Sequence, residues 1–193
     1  DYTALNKHTI KDRFPLPNIN TIFQHLGGAK YFSTFDLASG YYQFKMCKCD
    51  IEKTAFATPE GLYKFVRMPM GLSNAPATFQ RAMTNIFANM VYHGVMVFID
   101  DILVYSKTWK EHMEKLEEVL RRMKENNLQA KVAKCHFAQP QTQYLGYVIT
   151  ANAKRPDPAK VKAIQQMRAP KDKAEVRLSL IHISEPTRLR CIS

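Results

Sequence analysis

The sequence predicts an α+β fold built around a mainly antiparallel sheet. Three observations carry this. Strand-like and helix-like stretches are mixed without a regular strand–helix–strand rhythm. Two strongly apolar runs, 95–99 and 102–105, are separated by Asp100-Asp101 alone, the spacing of a hairpin rather than a crossover. The chain has 193 residues, 46% hydrophobic and 23% charged, enough to bury a core and unlike a disordered tail.

Taken in order, residues 1–17 read as loop and short extended structure, closed by Phe14-Pro15-Leu16-Pro17. Ile19, Ile22, Phe23 and Leu26 recur at helical spacing, and Gly27-Gly28 stops that helix. The aromatic run 31–35 predicts a strand ending at Asp36, followed by the small-residue break Ala38-Ser39-Gly40. Cys47 and Cys49 have the spacing to alternate across a strand. Stretches 54–58 and 62–66 flank Pro59-Glu60-Gly61, a hairpin signal. Ser73 or Asn74 can cap the next helix, with Pro76 in its first turn and Phe79, Ala82, Met83, Ile86 and Met90 as its apolar stripe.

After His93-Gly94 come the two apolar strands around the aspartate pair. Thr108-Trp109-Lys110-Glu111 fits a capping box for a helix that carries Met113, Leu116, Val119, Leu120 and Met123 on one face. Charges cover its other face, with Glu111 and Lys115 as an i,i+4 pair. Residues 144–150 read as one strand, and a basic, proline-punctuated stretch holds a short helix over 161–167. There is no internal repeat and no low-complexity segment.

The net charge of +11 favours a polyanionic partner, nucleic acid being the commonest. Cys47, Cys49, Cys135 and Cys191 make no CxxC pair and no zinc spacing, a pattern of reduced thiols in an intracellular protein. No apolar run approaches the ~20 residues of a membrane span, so no membrane partner is expected. The chain opens at Asp1 inside dense sequence, as a fragment or processed piece would.

Asp100-Asp101 is the central chemical feature. Adjacent carboxylates at a tight turn between apolar strands repel each other and need compensation, which a divalent cation supplies. Hard oxygen donors with few histidines nearby favour Mg²⁺ over zinc. The plain alternative is that aspartate is an ordinary turn residue. Asp36 is alone a cap or turn residue; it gains weight if an antiparallel sheet brings its strand end beside the aspartate pair. Three carboxylates could then hold two Mg²⁺ ions for phosphoryl transfer.

These residues carry a resemblance. Phe98-Ile99-Asp100-Asp101-Ile102-Leu103 resembles the Tyr-x-Asp-Asp motif of retroelement reverse transcriptases, and Phe35-Asp36-Leu37-Ala38-Ser39-Gly40-Tyr41 resembles their other metal-binding motif. Met68-Pro69-Met70-Gly71-Leu72-Ser73-Asn74-Ala75-Pro76-Ala77-Thr78-Phe79-Gln80 is similar to the template and nucleotide segment of the Ty3/gypsy class. Asp1-Tyr2, Leu5-Asn6-Lys7, Lys53-Thr54-Ala55-Phe56, Lys134-Cys135 and Tyr144-Leu145-Gly146-Tyr147 follow in family order, so the likeness covers residues 1–177.

The resemblance implies a polymerase palm with a ferredoxin-like antiparallel sheet and helices, plus partial fingers: fingers and palm over 1–155, and the start of a thumb or connection over 156–177. It implies RNA-directed DNA polymerase activity in retrotransposon replication. Asp36, Asp100 and Asp101, with the Leu37 carbonyl, would bind two Mg²⁺ ions, Mn²⁺ being an alternative. Tyr41 would sit under the incoming sugar as the gate against a 2′-hydroxyl, unless it is an ordinary core tyrosine. Met70 and Gly71 would line the nucleotide pocket. Asn74, Gln80, Phe98, Leu145 and Gly146 would face primer and template, the last two as a primer grip or else a plain strand with a bulge. Lys134 would be the general acid for pyrophosphate, or a surface lysine. The implied partners are an RNA or DNA template with primer, dNTPs, and the RNase H, integrase and protease of a polyprotein. The implied location is a cytoplasmic particle, with the nucleus as the alternative.

Three departures stand out. Phe98 replaces the common tyrosine, Met70 stands where retroviral enzymes have glutamine, and Thr3 stands where arginine is usual. Residues 178–193 leave the family pattern and resemble a translated sequencing-library adapter, so a non-native tail without a packing face is expected. Two rival readings remain. A catalytically inactive, nucleic-acid-binding remnant has no reason to keep all three aspartates. A Mg²⁺ nuclease or phosphatase leaves the 68–80 segment unexplained.

Overall fold

The computed structural model describes residues 1–166 together with 172, 173 and 176. The expected adapter-like tail therefore lies outside the described residues. The helices are α1 (Thr3–His8), α2 (Ile19–His25), α3 (Lys48–Ile51), α4 (Ala75–Ile86), α5 (Trp109–Glu125) and α6 (Pro158–Gln165). The strands are β1 (Tyr31–Asp36), β2 (Phe56–Thr58), β3 (Gly61–Tyr63), β4 (Val95–Phe98), β5 (Asp101–Ser106), β6 (His136–Gln139), β7 (Gln141–Tyr144), β8 (Tyr147–Thr150) and β9 (Lys154–Pro156).

Four strands form the central sheet in the order β4-β5-β1-β6, every neighbouring pair antiparallel. With α4 between β1 and β4, and α5 between β5 and β6, this is the ferredoxin-like β-α-β-β-α-β order. The smaller β2-β3 hairpin falls in the connection between β1 and α4.

The apolar runs of β4 and β5 lack a polar alternation because the sheet is covered on both faces. Side chains alternate with period two along a strand. Phe35, Val95, Val97, Ile102 and Val104 pack with Phe79 and Met83 of α4 and Val119 and Met123 of α5. Phe32, Met96, Leu103 and Tyr105 face the other way, onto Ile22 of α2 and Leu26 at its C-terminal cap and onto Tyr144 and Ile149 of β7 and β8.

Several local expectations change. Residues 3–8 form a short helix that buries no residue, so no apolar stripe announces it. Cys47 and Cys49 do not alternate across a strand; Cys47 caps the single turn of α3 and Cys49 lies within it. Residues 144–150 are not one strand but the closing end of the β7-β8 hairpin, turning at Leu145-Gly146. Leu145 (φ 50°) and Gly146 (φ 79°) both adopt positive φ, as a two-residue hairpin turn requires. Asn-Gly or Asp-Gly would have announced it; Leu-Gly does not.

On α5 the buried residues are His112, Val119 and Met123, while Met113 and Leu120 are exposed, so the packed face is rotated from the expected stripe. His112 is the reason. Its ring nitrogens lie 2.7 Å from Ser33 Oγ on β1 and 3.0 Å from Ser106 Oγ on β5, which satisfies a fully buried imidazole and pins the helix to the sheet. The capping box forms with a shift. Thr108 Oγ1 accepts from the Glu111 amide at 3.3 Å, but the Glu111 carboxylate accepts from Lys107 N–H, one residue before the cap. The Glu111–Lys115 pair forms at 2.6 Å.

Candidate active site

The register of the central sheet assembles the site. β1 and β5 pair Phe35 with Ile102 and Asp36 with Asp101, so the two aspartates end adjacent strands side by side. β4 and β5 close on the pair Phe98 and Asp101, which leaves Ile99 and Asp100 as the two turn residues. Asp101 thus opens β5 rather than sharing the turn. The first turn position has positive φ, where glycine is usual, yet it holds the β-branched Ile99 at φ 50°. A residue of that kind in the left-handed region is strained and persists where its surroundings over-determine it. Leu37 N–H reaches the Asp100 carbonyl at 3.4 Å, tying the turn to the end of β1, while the Leu37 side chain is buried in the core.

Asp100 points inward. Its Oδ1 is buried and has no hydrogen-bond partner, a costly state for a carboxylate oxygen. Gly40 makes room for it: a Cβ there would lie 2.6 Å from Asp100 Oδ1 and 3.2 Å from the Phe79 ring. Burial, then the neighbouring Asp36 charge, pushes the Asp100 carboxyl above the usual carboxylate range. Burial pushes Asp101 from 3.8 up to about 6, helped by the charges of Asp36 and Asp100 and opposed by Lys134. Asp101 as a whole is an exposed residue, so water screens part of that field. Lys134 sits in a short 3₁₀ turn before β6, and its Nζ binds Asp36 Oδ2 at 3.0 Å. The three carboxylates share one end of the sheet but are not drawn to within 4.8 Å of one another.

This set fits a divalent cation. It offers hard oxygen donors, one of them buried and unpartnered, in a cradle that a single methyl group would fill. A cleft of about 420 Å³ runs from Asp36, Asp101 and Lys134 to Tyr144, Leu145 and Gly146. The β7-β8 turn therefore forms the opposite wall of the carboxylate site. Tyr144 is buried, its phenol is pushed well up by burial, and its hydroxyl donates to the Asp101 carbonyl at 3.4 Å. Neither Gly40 nor Tyr144 had a role in the sequence reading. The preference for a small residue at Gly40 becomes intelligible once Asp100 is seen against it.

The other expected residues divide. Tyr41 follows Gly40 in a 3₁₀ turn, its ring edge-on to Phe79 with centroids 5.3 Å apart. Met70 is exposed and Gly71 has φ 93°. Phe98 is partly buried against the second core. Asn74 caps α4 only by position, with no side-chain cap hydrogen bond. Its amide is used elsewhere: Nδ2 donates to the Ile10 carbonyl at 2.9 Å and Oδ1 accepts from Asp12 N–H at 3.0 Å. Both ends of its amide thus bond the N-terminal arm. Gln80 is 1% exposed and turned inward. Its amide bonds the main chain of Val97 and Ile99.

Cys47, Cys49 and Asp50 do gather within 4.8 Å, although the spacing had excluded a zinc motif. Both thiols are exposed and Lys53 already holds Asp50 at 2.5 Å, so this is a surface cluster rather than a built site.

A ferredoxin-like sheet with aspartates at the ends of β1 and of the β4-β5 hairpin, facing a second hairpin across a cleft, defines a nucleic-acid polymerase palm. The sequence profile of the reverse transcriptase (RNA-dependent DNA polymerase) family matches residues 1–149, and the chain belongs to that family. It is 41% identical over 180 residues to the retrovirus-related Pol polyprotein from transposon 297 of Drosophila melanogaster, covering 93% of this chain and 17% of that protein. It is 44% identical over 177 residues to the corresponding polyprotein from transposon opus of the same organism, covering 92% of this chain and 18% of that one. The chain thus spans less than a fifth of these relatives. Among solved structures, the foamy viral protease–reverse transcriptase in complex with an RNA/DNA hybrid superposes with a TM-score of 0.84 at 26% identity, over 97% of this chain and 25% of that one. A second foamy viral structure, in complex with double-stranded DNA, gives 0.85 at 27% identity, over 93% of this chain and 31% of that one. Among the described residues, no helix is long and apolar enough to cross a membrane.

Proposed function

We propose that the chain is the catalytic core of an RNA-directed DNA polymerase, which extends a primer 3′-hydroxyl along an RNA or DNA template during retrotransposon replication. One observation carries this reading: Asp36 and Asp101 are register partners, and beside them Asp100 holds a buried oxygen without a hydrogen-bond partner.

Asp36, Asp100 and Asp101, with the Leu37 carbonyl, would hold two Mg²⁺ ions, or Mn²⁺ in their place. When bound, such ions lower the pKa of the attacking hydroxyl and neutralise charge on the triphosphate. Lys134, whose Nζ binds Asp36 Oδ2, would carry a proton to leaving pyrophosphate. Tyr41, two residues beyond the αL turn residue Ser39, would lie under the incoming sugar, with Met70 and Gly71 on the nucleotide side. The Leu145-Gly146 turn, on the far wall of the cleft, would hold the primer end against the carboxylates.

A duplex partner is supported by the net charge of +11 and by the nucleic acids bound to the foamy viral neighbours. The remaining partners are dNTPs and the RNase H, integrase and protease parts of a Pol polyprotein, in a cytoplasmic particle or the nucleus. In the complete parent polyprotein, Asp100→Asn should lower Mg²⁺-dependent primer extension on the order of a thousandfold or more. Extension at the wild-type rate in that variant would sink the assignment. A wild-type parent that binds duplex but extends nothing would leave the inactive remnant.

A further inference from the structure

We infer that Gln80 is a positioning residue for the carboxylate site: it holds the β4-β5 turn from α4 and thereby aims Asp100. This rests on the polymerase reading above. A glutamine amide is costly to bury unless both its ends are bonded. Here both are. Gln80 Oε1 accepts from Ile99 N–H at 2.7 Å, and Nε2 donates to the Val97 carbonyl at 3.1 Å, with Thr84 Oγ1 at 3.5 Å.

The choice of partners is informative. β4 is the edge strand of the four-stranded sheet, and beyond the isolated parallel bridge of Val91 to Val95 its outward carbonyls and amides have no strand to meet. Val97 C=O and Ile99 N–H, two residues apart, are the pair that an added parallel strand would bond. The Gln80 amide, which offers a donor and an acceptor in one plane, takes the place of the N–H and C=O of one residue of that strand. It does so at the residue whose φ of 50° is least favourable for its side chain, and immediately before Asp100.

The neighbouring residue completes the device. Phe79 packs its ring near Gly40, the residue that backs the Asp100 carboxylate. Successive residues of α4 thus support the turn and bound the cradle of the aspartate. Without the clamp, Ile99 can relax toward negative φ, and the Asp100 carboxyl would leave the space beside Gly40.

The test separates this role from direct contact with primer and template. In the full 193-residue chain, Gln80→Met keeps volume and removes both hydrogen bonds. Amide exchange at Ile99, read by NMR, should speed up about tenfold or more, the scale of one lost hydrogen bond. Mn²⁺ affinity should fall severalfold and affinity for a primer–template duplex should stay unchanged. Gln80→Glu, kept protonated by burial at pH 5.5, offers one acceptor and one donor and should restore Ile99 protection. It also serves as the readout if Gln80→Met fails to fold, because ionising it at higher pH should then release the same amide.

Wild-type Ile99 exchange in Gln80→Met would overturn the clamp. So would a loss of duplex affinity with Mn²⁺ affinity unchanged, which would make Gln80 a nucleic-acid contact. A wild-type chain that takes up no Mn²⁺ would overturn the polymerase reading itself. Uptake by the wild type that Gln80→Met matches would overturn the clamp alone.

Discussion

Two hairpins face each other across the cleft, and they solve the same turn problem differently. Both turn in two residues, and both place a bulky side chain at positive φ: Ile99 between β4 and β5, Leu145 between β7 and β8. The second hairpin follows Leu145 with Gly146, which takes φ 79° without steric cost. It belongs to the separate three-stranded sheet, and its turn residues are partly exposed. The first hairpin has no glycine in its turn. Its relief comes from outside: Gln80 on Val97 and Ile99, Leu37 N–H on the Asp100 carbonyl, and a core on both faces of its strands. The turn that carries a buried carboxylate oxygen is held from several sides by tertiary contacts; the turn on the wall relies more on its glycine, with Leu145 packed on the second core and one main-chain bond from Asp157 N–H to the Gly146 carbonyl.

The sharpest way to break that contrast is at the glycines. Gly40→Ala puts a methyl group into the space of the Asp100 carboxylate and against Phe79. It should cost about 1–3 kcal/mol of stability as overpacking, and it should weaken Mn²⁺ uptake because Asp100 must swing aside. Urea denaturation and an Mn²⁺ titration read the two effects separately. If stability falls with Mn²⁺ uptake intact, the carboxylate is not the group that Gly40 accommodates.

Gly146→Ala should cost less, about 1–2 kcal/mol, because an alanine at positive φ is strained while the flexible end of Lys160 can move away. Mn²⁺ uptake should be unchanged, since that turn holds no carboxylate. A drop in Mn²⁺ affinity as large as that of Gly40→Ala would erase the distinction between the two hairpins.

The smallest effect expected is on pH dependence. In the folded chain Asp101 is raised from 3.8 to about 6, with burial first and the Asp36 and Asp100 charges next. Between those values the folded state keeps a proton that the unfolded state has released, so this group's contribution to stability falls as pH rises through the window. Metal-free Asp101→Asn should therefore be more stable relative to wild type at pH 7.5 than at pH 4.5. The gain should be small because Asp101 is an exposed residue, where water and salt screen the field. A larger relative gain at pH 4.5 would show that the folded pKa is depressed instead.

Much of this was legible along the chain. The strand ending at Asp36, the aspartate pair between apolar runs, the β2-β3 hairpin around Pro59 and the Thr108 cap rest on neighbours within a few residues, where periodicity and turn chemistry act. The misses have equally local causes. Residues 3–8 and 48–51 make helices too short for an apolar stripe to register, and the Leu145-Gly146 turn lacks the usual Asn or Asp. The inward face of α5 was misjudged because His112, polar by type, is fully buried between two serines.

The sequence by itself therefore determined which groups are the candidates for the chemistry: three aspartates in two motifs, each at the end of an apolar strand. The tertiary structure decided how they meet and what holds them. Asp36 lies beside Asp101 because β1 inserts between β5 and β6, and Lys134 reaches Asp36 from 98 residues away. Asn74 and Gln80 look alike as candidate nucleic-acid contacts in sequence, yet one amide bonds residues 10 and 12 of the N-terminal arm and the other bonds the main chain of the β4-β5 turn. An amide bonds whatever unpaired peptide groups the fold brings within about 3 Å, and the sheet order sets which groups those are.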